Sequence, residues 1–167
     1  MAYYIILFAL TTLLAWVYTG NTKVSKFLFF FFCLCLGLFV GLADMLGGYD
    51  RYIYSEVFQS MQENVMKGNL LSEEFITYFG KEPIFGLIND VIAYFTPNRY
   101  IFILAYTLLL YMVYAFNFYR YTENPFFALL VFEGLMFFFT FTYLRQVLAA
   151  GIIWLAIPYV AQRKFKK

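Results

Sequence analysis

Two arginines stand where the chain favours a turn or the start of a helix, and each is a candidate anion ligand. Arg51 follows the turn-forming pair Gly47-Gly48, and Arg145 lies in the segment Leu144-Arg145-Gln146. A guanidinium group forms paired hydrogen bonds to phosphate oxygens. Arg145 also falls in the first turn of a predicted helix, where backbone N–H groups and the helix dipole attract anions. These features indicate a phosphate site. The alternative is that Arg145 snorkels to lipid headgroups and Arg51 is solvated.

Carboxylates and tyrosines accompany these arginines. Asp50 precedes Arg51, and Glu82 precedes Pro83. A carboxylate can act as a general base toward a hydroxyl, or it can cap a helix. Tyr49 and Tyr52 can stack on sugar rings, although tyrosines are also enriched wherever a membrane protein meets the headgroups.

One acid, Glu133, lies inside a predicted span, and Asp90 lies near the outer interface. An acid within the bilayer is by default a candidate functional group. Glu133 can instead pair with a tyrosine, with Asn117 or with another helix, or it can be protonated. Asp90 is a second candidate base or part of a solvated helix face.

Several chemistries are excluded by residue type. The chain has no histidine, which removes Ser-His-Asp and Cys-His nucleophile systems and histidine-bound zinc. Cys33 and Cys35 lie two positions apart in a predicted helix and point in different directions, so they are interpreted as small apolar residues. We therefore expect no metal site and no cofactor. The net charge of +2 says little about partners, and we expect no nucleic-acid partner.

The composition predicts a membrane protein. Hydrophobic residues make up 63% of the chain and charged residues 13%, whereas soluble domains are roughly 45–50% apolar. The apolar stretches lack the alternation of barrel strands and approach the roughly 20 residues that a spanning helix needs. We predict an all-α, polytopic membrane helix bundle, with residues 1–167 as a single membrane domain. The five predicted spans are Ala2–Thr19, Phe27–Ala43, Tyr100–Phe118, Phe126–Phe141 and Leu144–Ala161.

The polar segment 44–99 is predicted to form short helices rather than a floppy loop. Apolar residues at four-residue spacing predict one helix from about Asp50 to Met66. A second is predicted from the N-cap Ser72 to Gly80. A third, Pro83–Phe95, is too short to cross a bilayer, so we expect it to lie in the interface or to dip into it. Its apolar stripe is Ile84, Leu87, Ile88, Val91, Ile92 and Phe95.

Positive charges predict the orientation. Lys23 and Lys26 follow the first span, Arg120 follows the third, and a basic cluster at 163–167 follows the last. Because cytoplasmic loops carry an excess of lysine and arginine, these ends are expected in the cytoplasm. The N-terminus and segment 44–99 are then expected outside.

Three segments in order resemble a known family. They are Gly47-Gly48-Tyr49-Asp50-Arg51-Tyr52, Glu82-Pro83-Ile84-Phe85 and Leu144-Arg145-Gln146-Val147-Leu148-Ala149. Over about residues 44–161 the chain resembles the EpsG-like family, which is related to the Wzy-type polymerases of bacterial capsule, O-antigen and exopolysaccharide. The resemblance implies a glycosyltransferase in the bacterial cytoplasmic membrane. Its substrate would be a polyprenyl-diphosphate-linked oligosaccharide, polymerised at the outer face.

The same resemblance implies roles for individual residues. Arg145 first and Arg51 second would stabilise the diphosphate leaving group, and Asp50 first and Glu82 second would serve the acceptor hydroxyl. Tyr49, Tyr52 and Gln146 would contact substrate.

Family members are typically much longer, so the chain is expected to be an N-terminal half that can be inactive alone. Membrane lipid and other polysaccharide-export components are expected partners. A component of a lipid-linked sugar transporter and a non-catalytic membrane scaffold remain the alternatives.

Overall fold

The computed structural model describes residues 2–18, 23–43, 49–66 and 83–161. Regular structure in these ranges is entirely helical, which confirms the predicted all-α bundle. The helices are α1 (Ala2–Val17), α2 (Lys23–Leu42), α3 (Tyr49–Met66), α4 (Pro83–Phe95), α5 (Arg99–Tyr121), α6 (Pro125–Met136), α7 (Phe139–Thr142) and α8 (Leu144–Ala161).

Three of the described helices are long and apolar enough to cross a membrane, namely α2 from Ser25 onward, α5 and α8. The first predicted span appears as the shorter apolar helix α1, and the fourth predicted span, Phe126–Phe141, is interrupted. There α6 ends at Met136, and the backbone tightens because the N–H and Oγ1 of Thr140 both donate to the Phe137 carbonyl, at 3.1 and 2.6 Å. A continuous run of apolar residues gave no sign of this break.

Helix α5 is the centre of the bundle, and α2 approaches it closely through two glycines. A β-carbon on Gly41 would lie 2.5 Å from Thr107 Oγ1 and 2.7 Å from Leu104 Cδ1. Thr107 Oγ1 donates to the Gly37 carbonyl at 3.2 Å. Glycines four positions apart let two helices approach closely where no hydrophobic effect drives them together.

Helix α8 packs on α5 through a third glycine. A β-carbon on Gly151 would lie 2.9 Å from Val113 Cγ1. Asn117 Nδ2 donates to the Gly151 carbonyl at 2.9 Å, and the Tyr114 hydroxyl donates to the Val147 carbonyl at 3.0 Å. Hydrogen bonds between side chain and backbone therefore fix α8 against the central helix.

Helices α1 and α6 run antiparallel to each other, and Glu133 is the polar link between them. Thr11 Oγ1 donates to Glu133 Oε1 at 2.9 Å, and Asn124 Nδ2 donates to the Ala15 carbonyl at 2.8 Å. Glu133 is only 1% exposed. The sequence offered a tyrosine, Asn117 or another helix as the partner of this carboxyl group, and the structure pairs it with Thr11 of helix α1.

The bundle has two ends. We call one the Arg145 end; it contains the start of α5 and the end of α2, and the starts of α1 and α8 point toward it from near the middle of α5. We call the other the Lys26 end, where Lys26 Nζ lies 4.9 Å from the Tyr119 ring and the Arg120 guanidinium 6.0 Å from the Tyr159 ring. The Phe30 and Phe116 rings, 5.1 Å apart between centroids, place the start of α2 beside the last turns of α5, so these two helices run antiparallel.

Helices α3 and α4 pack on α5 near the Arg145 end. Phe58 stacks on Phe102 with ring centroids 4.4 Å apart. The two helices agree with the predicted bounds of Asp50–Met66 and Pro83–Phe95. The helix predicted from Ser72 to Gly80 and the candidate base Glu82 lie outside the described residues.

Candidate functional site

Arg145 stands in the first turn of α8. Tyr143 leaves the helical conformation at φ −95° and ψ 50°, and its carbonyl accepts the Val147 N–H at 3.0 Å. A new helix therefore starts here, with the positive end of its dipole beside Arg145. The Arg145 guanidinium lies 5.8 Å from the centroid of the Phe85 ring, and its side chain is partly exposed.

Phe85 belongs to an aromatic cluster from three helices. Its ring packs edge-on against Tyr54 of α3 at 5.9 Å and against Tyr106 of α5 at 5.7 Å. A guanidinium over an aromatic face gains cation–π attraction. The face contact restrains the group without using its in-plane N–H donors for that contact, and those donors are the ones that bind a phosphate.

Two tyrosines of α5 hold the segment that carries Arg145. We call residues 137–144 the elbow, because they join α6 to α8 through the short α7. The Tyr111 hydroxyl lies 3.2 Å from Thr140 Oγ1, and Tyr114 bonds the Val147 carbonyl just past the elbow. Sequence reasoning missed these tyrosines because an aromatic residue in a predicted span is ordinarily interpreted as packing.

Arg51 is placed differently from Arg145. Its side chain is 1% exposed, and its Nη2 atom donates to the Val40 carbonyl at 3.0 Å and the Gly41 carbonyl at 3.1 Å. These carbonyls belong to the last turn of α2, where the helix leaves backbone acceptors unused and its dipole favours a cation. Arg51 therefore ties the start of α3 to the end of α2.

The other predicted site residues of α3 lie near this junction. Asp50 is half-buried in the first turn of the helix, where an acid suits the dipole. Because α3 already begins at Tyr49, Asp50 is inside the helix rather than its N-cap. Tyr49 is 80% exposed and Tyr52 46% exposed, so both rings are accessible.

The structure brings α3, α4 and the start of α8 together on one side of α5. Helix α3 packs against α4 and α7, and Phe85 of α4 meets Arg145. Gln146 is exposed next to Arg145, whereas Asp90 is 6% exposed on the inner side of α4. Among the described residues, no three cysteine or acidic side chains come together as a metal site.

Comparison with known protein families gives a match over most of the chain. A protein-family model described as the EpsG family matches residues 26–167, which is most of the chain and extends from α2 to α8. Helix α1 lies outside the match. No curated protein and no solved structure matches the chain.

Proposed function

The chain belongs to the EpsG family, a family of Wzy-type polymerases, and from that premise we propose that it polymerises oligosaccharide repeats carried on a polyprenyl diphosphate. Its family and its apolar helices make it a multi-pass membrane protein related to polysaccharide biosynthesis. The products would be capsule, O-antigen or exopolysaccharide. The reaction takes place at the outer face of the bacterial cytoplasmic membrane.

The observation that carries this proposal is the placement of Arg145. The side chain of Arg145 is partly exposed, stands at a helix start and is backed by an aromatic ring. In the proposed reaction the acceptor hydroxyl forms a bond to the anomeric carbon of the donor. The bond from that carbon to the diphosphate breaks, and the electron pair leaves with the polyprenyl diphosphate. Arg145 stabilises the negative charge that builds there, as a preorganised donor does.

Other residues of the site have supporting parts in this proposal. Asp50 accepts the proton of the acceptor hydroxyl, with Glu82 as the second candidate. Tyr49 and Tyr52 offer exposed rings to sugars, and Gln146 offers a hydrogen bond beside Arg145. Because Arg51 is occupied with the α2 carbonyls, we give it the role of holding Asp50 and α3 in place.

We infer the orientation in the membrane from the distribution of positive charge. Lys26 and Arg120 lie at the Lys26 end, which we place in the cytoplasm. The Arg145 end then faces outward, as a reaction on exported lipid-linked repeats requires. The N-terminus lies outside and the C-terminus in the cytoplasm.

The test is a glycan gel from cells in which the native gene is replaced by variants at matched protein level. Arg145→Ala removes the polymer ladder and leaves single repeats on the lipid. Arg99→Ala is the matched control, because Arg99 starts α5 at the same end and stacks on the adjacent Tyr100. A full ladder in Arg145→Ala cells would favour the transporter or scaffold instead.

A further inference from the structure

Two neighbouring helices at the Arg145 end present opposite surfaces. Where burial is described, the exposed residues of α3 are mostly polar and recur on one face: Tyr49, Tyr52, Glu56, Gln59 and Glu63. Within residues 85–95 of α4 the exposed side chains are all apolar or aromatic: Leu87 at 62%, Val91 at 51%, Tyr94 at 76% and Phe95 at 79%. Helices that pack side by side therefore present one largely polar and one apolar surface.

The inner side of α4 makes the contrast sharper. Asn89 is 2% exposed and Asp90 6%, beside the buried Phe85 and Ala93. A helix on the surface of a soluble protein turns its apolar stripe inward and its polar residues outward. Helix α4 instead buries Asn89 and Asp90 and exposes large apolar residues. This distribution is favourable only where the outer medium is itself apolar, since burying polar groups and exposing apolar ones would cost free energy in water.

The depth of α4 agrees with an apolar medium. Its first turn meets α5 at Tyr106, where the Phe85 and Tyr106 rings are 5.7 Å apart. Tyr106 lies about two turns, or ~10 Å, along α5 from Arg99. From there α4 runs back to Phe95, next to the connection that leads into Arg99. It therefore lies beside the spanning helix rather than beyond its end.

The elbow explains why there is space for α4 at this depth. Thr140 of the elbow meets α5 at Tyr111, which is about three turns, or ~18 Å, from Arg99. The full length of α5 is 23 residues, or about 35 Å. The connection from α6 to α8 therefore turns back near the middle of α5. Helices α3 and α4 pack against the part of α5 between this turn and Arg99.

We propose that α4 is a half-membrane helix whose outward face, formed by Leu87, Val91, Tyr94 and Phe95, contacts the acyl chains of the lipid leaflet at the Arg145 end. The exposed face of α3 contacts water. The pair thus forms the boundary between lipid and solvent beside Arg145. This inference does not depend on the proposed polymerase reaction.

Spin labels measure this directly in the full chain. In a Cys33→Ala, Cys35→Ala background, a nitroxide is placed at one position by Val91→Cys, Gln59→Cys or Ile153→Cys. The protein is reconstituted into phosphatidylethanolamine–phosphatidylglycerol vesicles, and collisions with oxygen and with a water-soluble nickel chelate are compared. Ile153 is exposed within the spanning helix α8 and serves as the lipid reference.

The label at residue 91 should give an oxygen-to-nickel collision ratio like that at residue 153 and several-fold above that at residue 59. A ratio at residue 91 equal to that at residue 59 would overturn the proposal. Low collision with both reagents would also overturn it, because protein, including a second copy, would then cover the face. A lipid-like ratio at residue 59 would overturn the assignment of α3 to water.

Leu87→Cys provides a second label position on the same face if Val91→Cys does not yield folded protein. The same three outcomes apply to it. Correct folding is checked by monodisperse elution in detergent.

Discussion

The hydroxyl of Tyr111 lies 3.2 Å from Oγ1 of Thr140, so the central helix α5 is bonded directly to the elbow that precedes Arg145. Thr140 in turn donates to the Phe137 carbonyl at 2.6 Å. A residue in the middle of the longest described helix thus fixes the point where α6 stops and the path to α8 begins. The position of the Arg145 guanidinium therefore depends on Tyr111 and Thr140 as well as on its own helix.

Removing the Tyr111 hydroxyl tests whether its contact with Thr140 holds the elbow in place. Tyr111→Phe keeps the ring and deletes one buried hydrogen bond, which should lower the free energy of unfolding by about 0.5–1.5 kcal/mol. Polymer yield should fall less than in Arg145→Ala. Thermal unfolding in detergent and a glycan gel provide the two measurements. Unchanged stability together with a complete loss of polymer would contradict a supporting role and indicate direct contact with substrate.

Gly41 tests the close packing of α2 on α5. Gly41→Ala places a methyl group against Thr107 Oγ1 and the Leu104 side chain, and overpacking of this kind typically costs about 1–3 kcal/mol. Gly134→Ala is the matched control, since its β-carbon would meet only Phe8 Cε2, at 3.9 Å. We expect a lowered melting temperature for Gly41→Ala alone. Equal melting temperatures for the two variants would show that α2 and α5 are further apart.

Substitutions of Arg51 and Arg145 should differ in their effects on melting temperature and polymer yield. Arg51→Ala deletes charge-assisted hydrogen bonds to the Val40 and Gly41 carbonyls, each contributing about 1.5–3 kcal/mol. It should therefore lower the melting temperature and, as a consequence, polymer yield. Arg145→Ala should abolish polymer with little change in melting temperature. If Arg51→Ala protein melts normally yet makes no polymer, Arg51 acts on substrate rather than on the fold.

Substitutions of Glu133 distinguish a polymerase from a component of a transporter. Glu133→Gln keeps an oxygen that accepts the hydrogen bond from the Thr11 hydroxyl, so α1 should stay docked and the polymer ladder should persist. Glu133→Leu removes that acceptor and should loosen α1, which a Cys pair across α1 and α6 would detect as weaker cross-linking. Loss of polymer in Glu133→Gln cells with a normal ladder in Arg145→Ala cells would reverse the assignment.

Local pattern predicted much of this architecture. The periodicity of residues 50–66 and the proline at 83 gave the bounds of α3 and α4 to within a residue. The start of α8 before Arg145 was also foreseen. Each of these features depends on residues close together in the chain, because capping residues, proline-free periodicity and hydropathy determine local helix formation directly.

Long-range contacts account for what the pattern could not show. Nothing near Arg51 in sequence indicates that its guanidinium is buried against the end of α2. The break in Phe126–Phe141 depends on Tyr111 and Thr140, in an otherwise continuous apolar run. For α4 the apolar stripe was predicted, but which side faces its neighbours depends on the surrounding medium.

The most direct test of the account is binding of a polyprenyl diphosphate to the reconstituted protein. Arg145→Ala should weaken binding of the diphosphate at least about 10-fold, on the scale of one charge-assisted hydrogen bond, while Arg99→Ala leaves it unchanged. The Arg145→Ala substitution should weaken binding of the corresponding polyprenyl monophosphate less than binding of the diphosphate. Equal diphosphate affinity in wild-type and Arg145→Ala protein would contradict the placement of Arg145 at the leaving group.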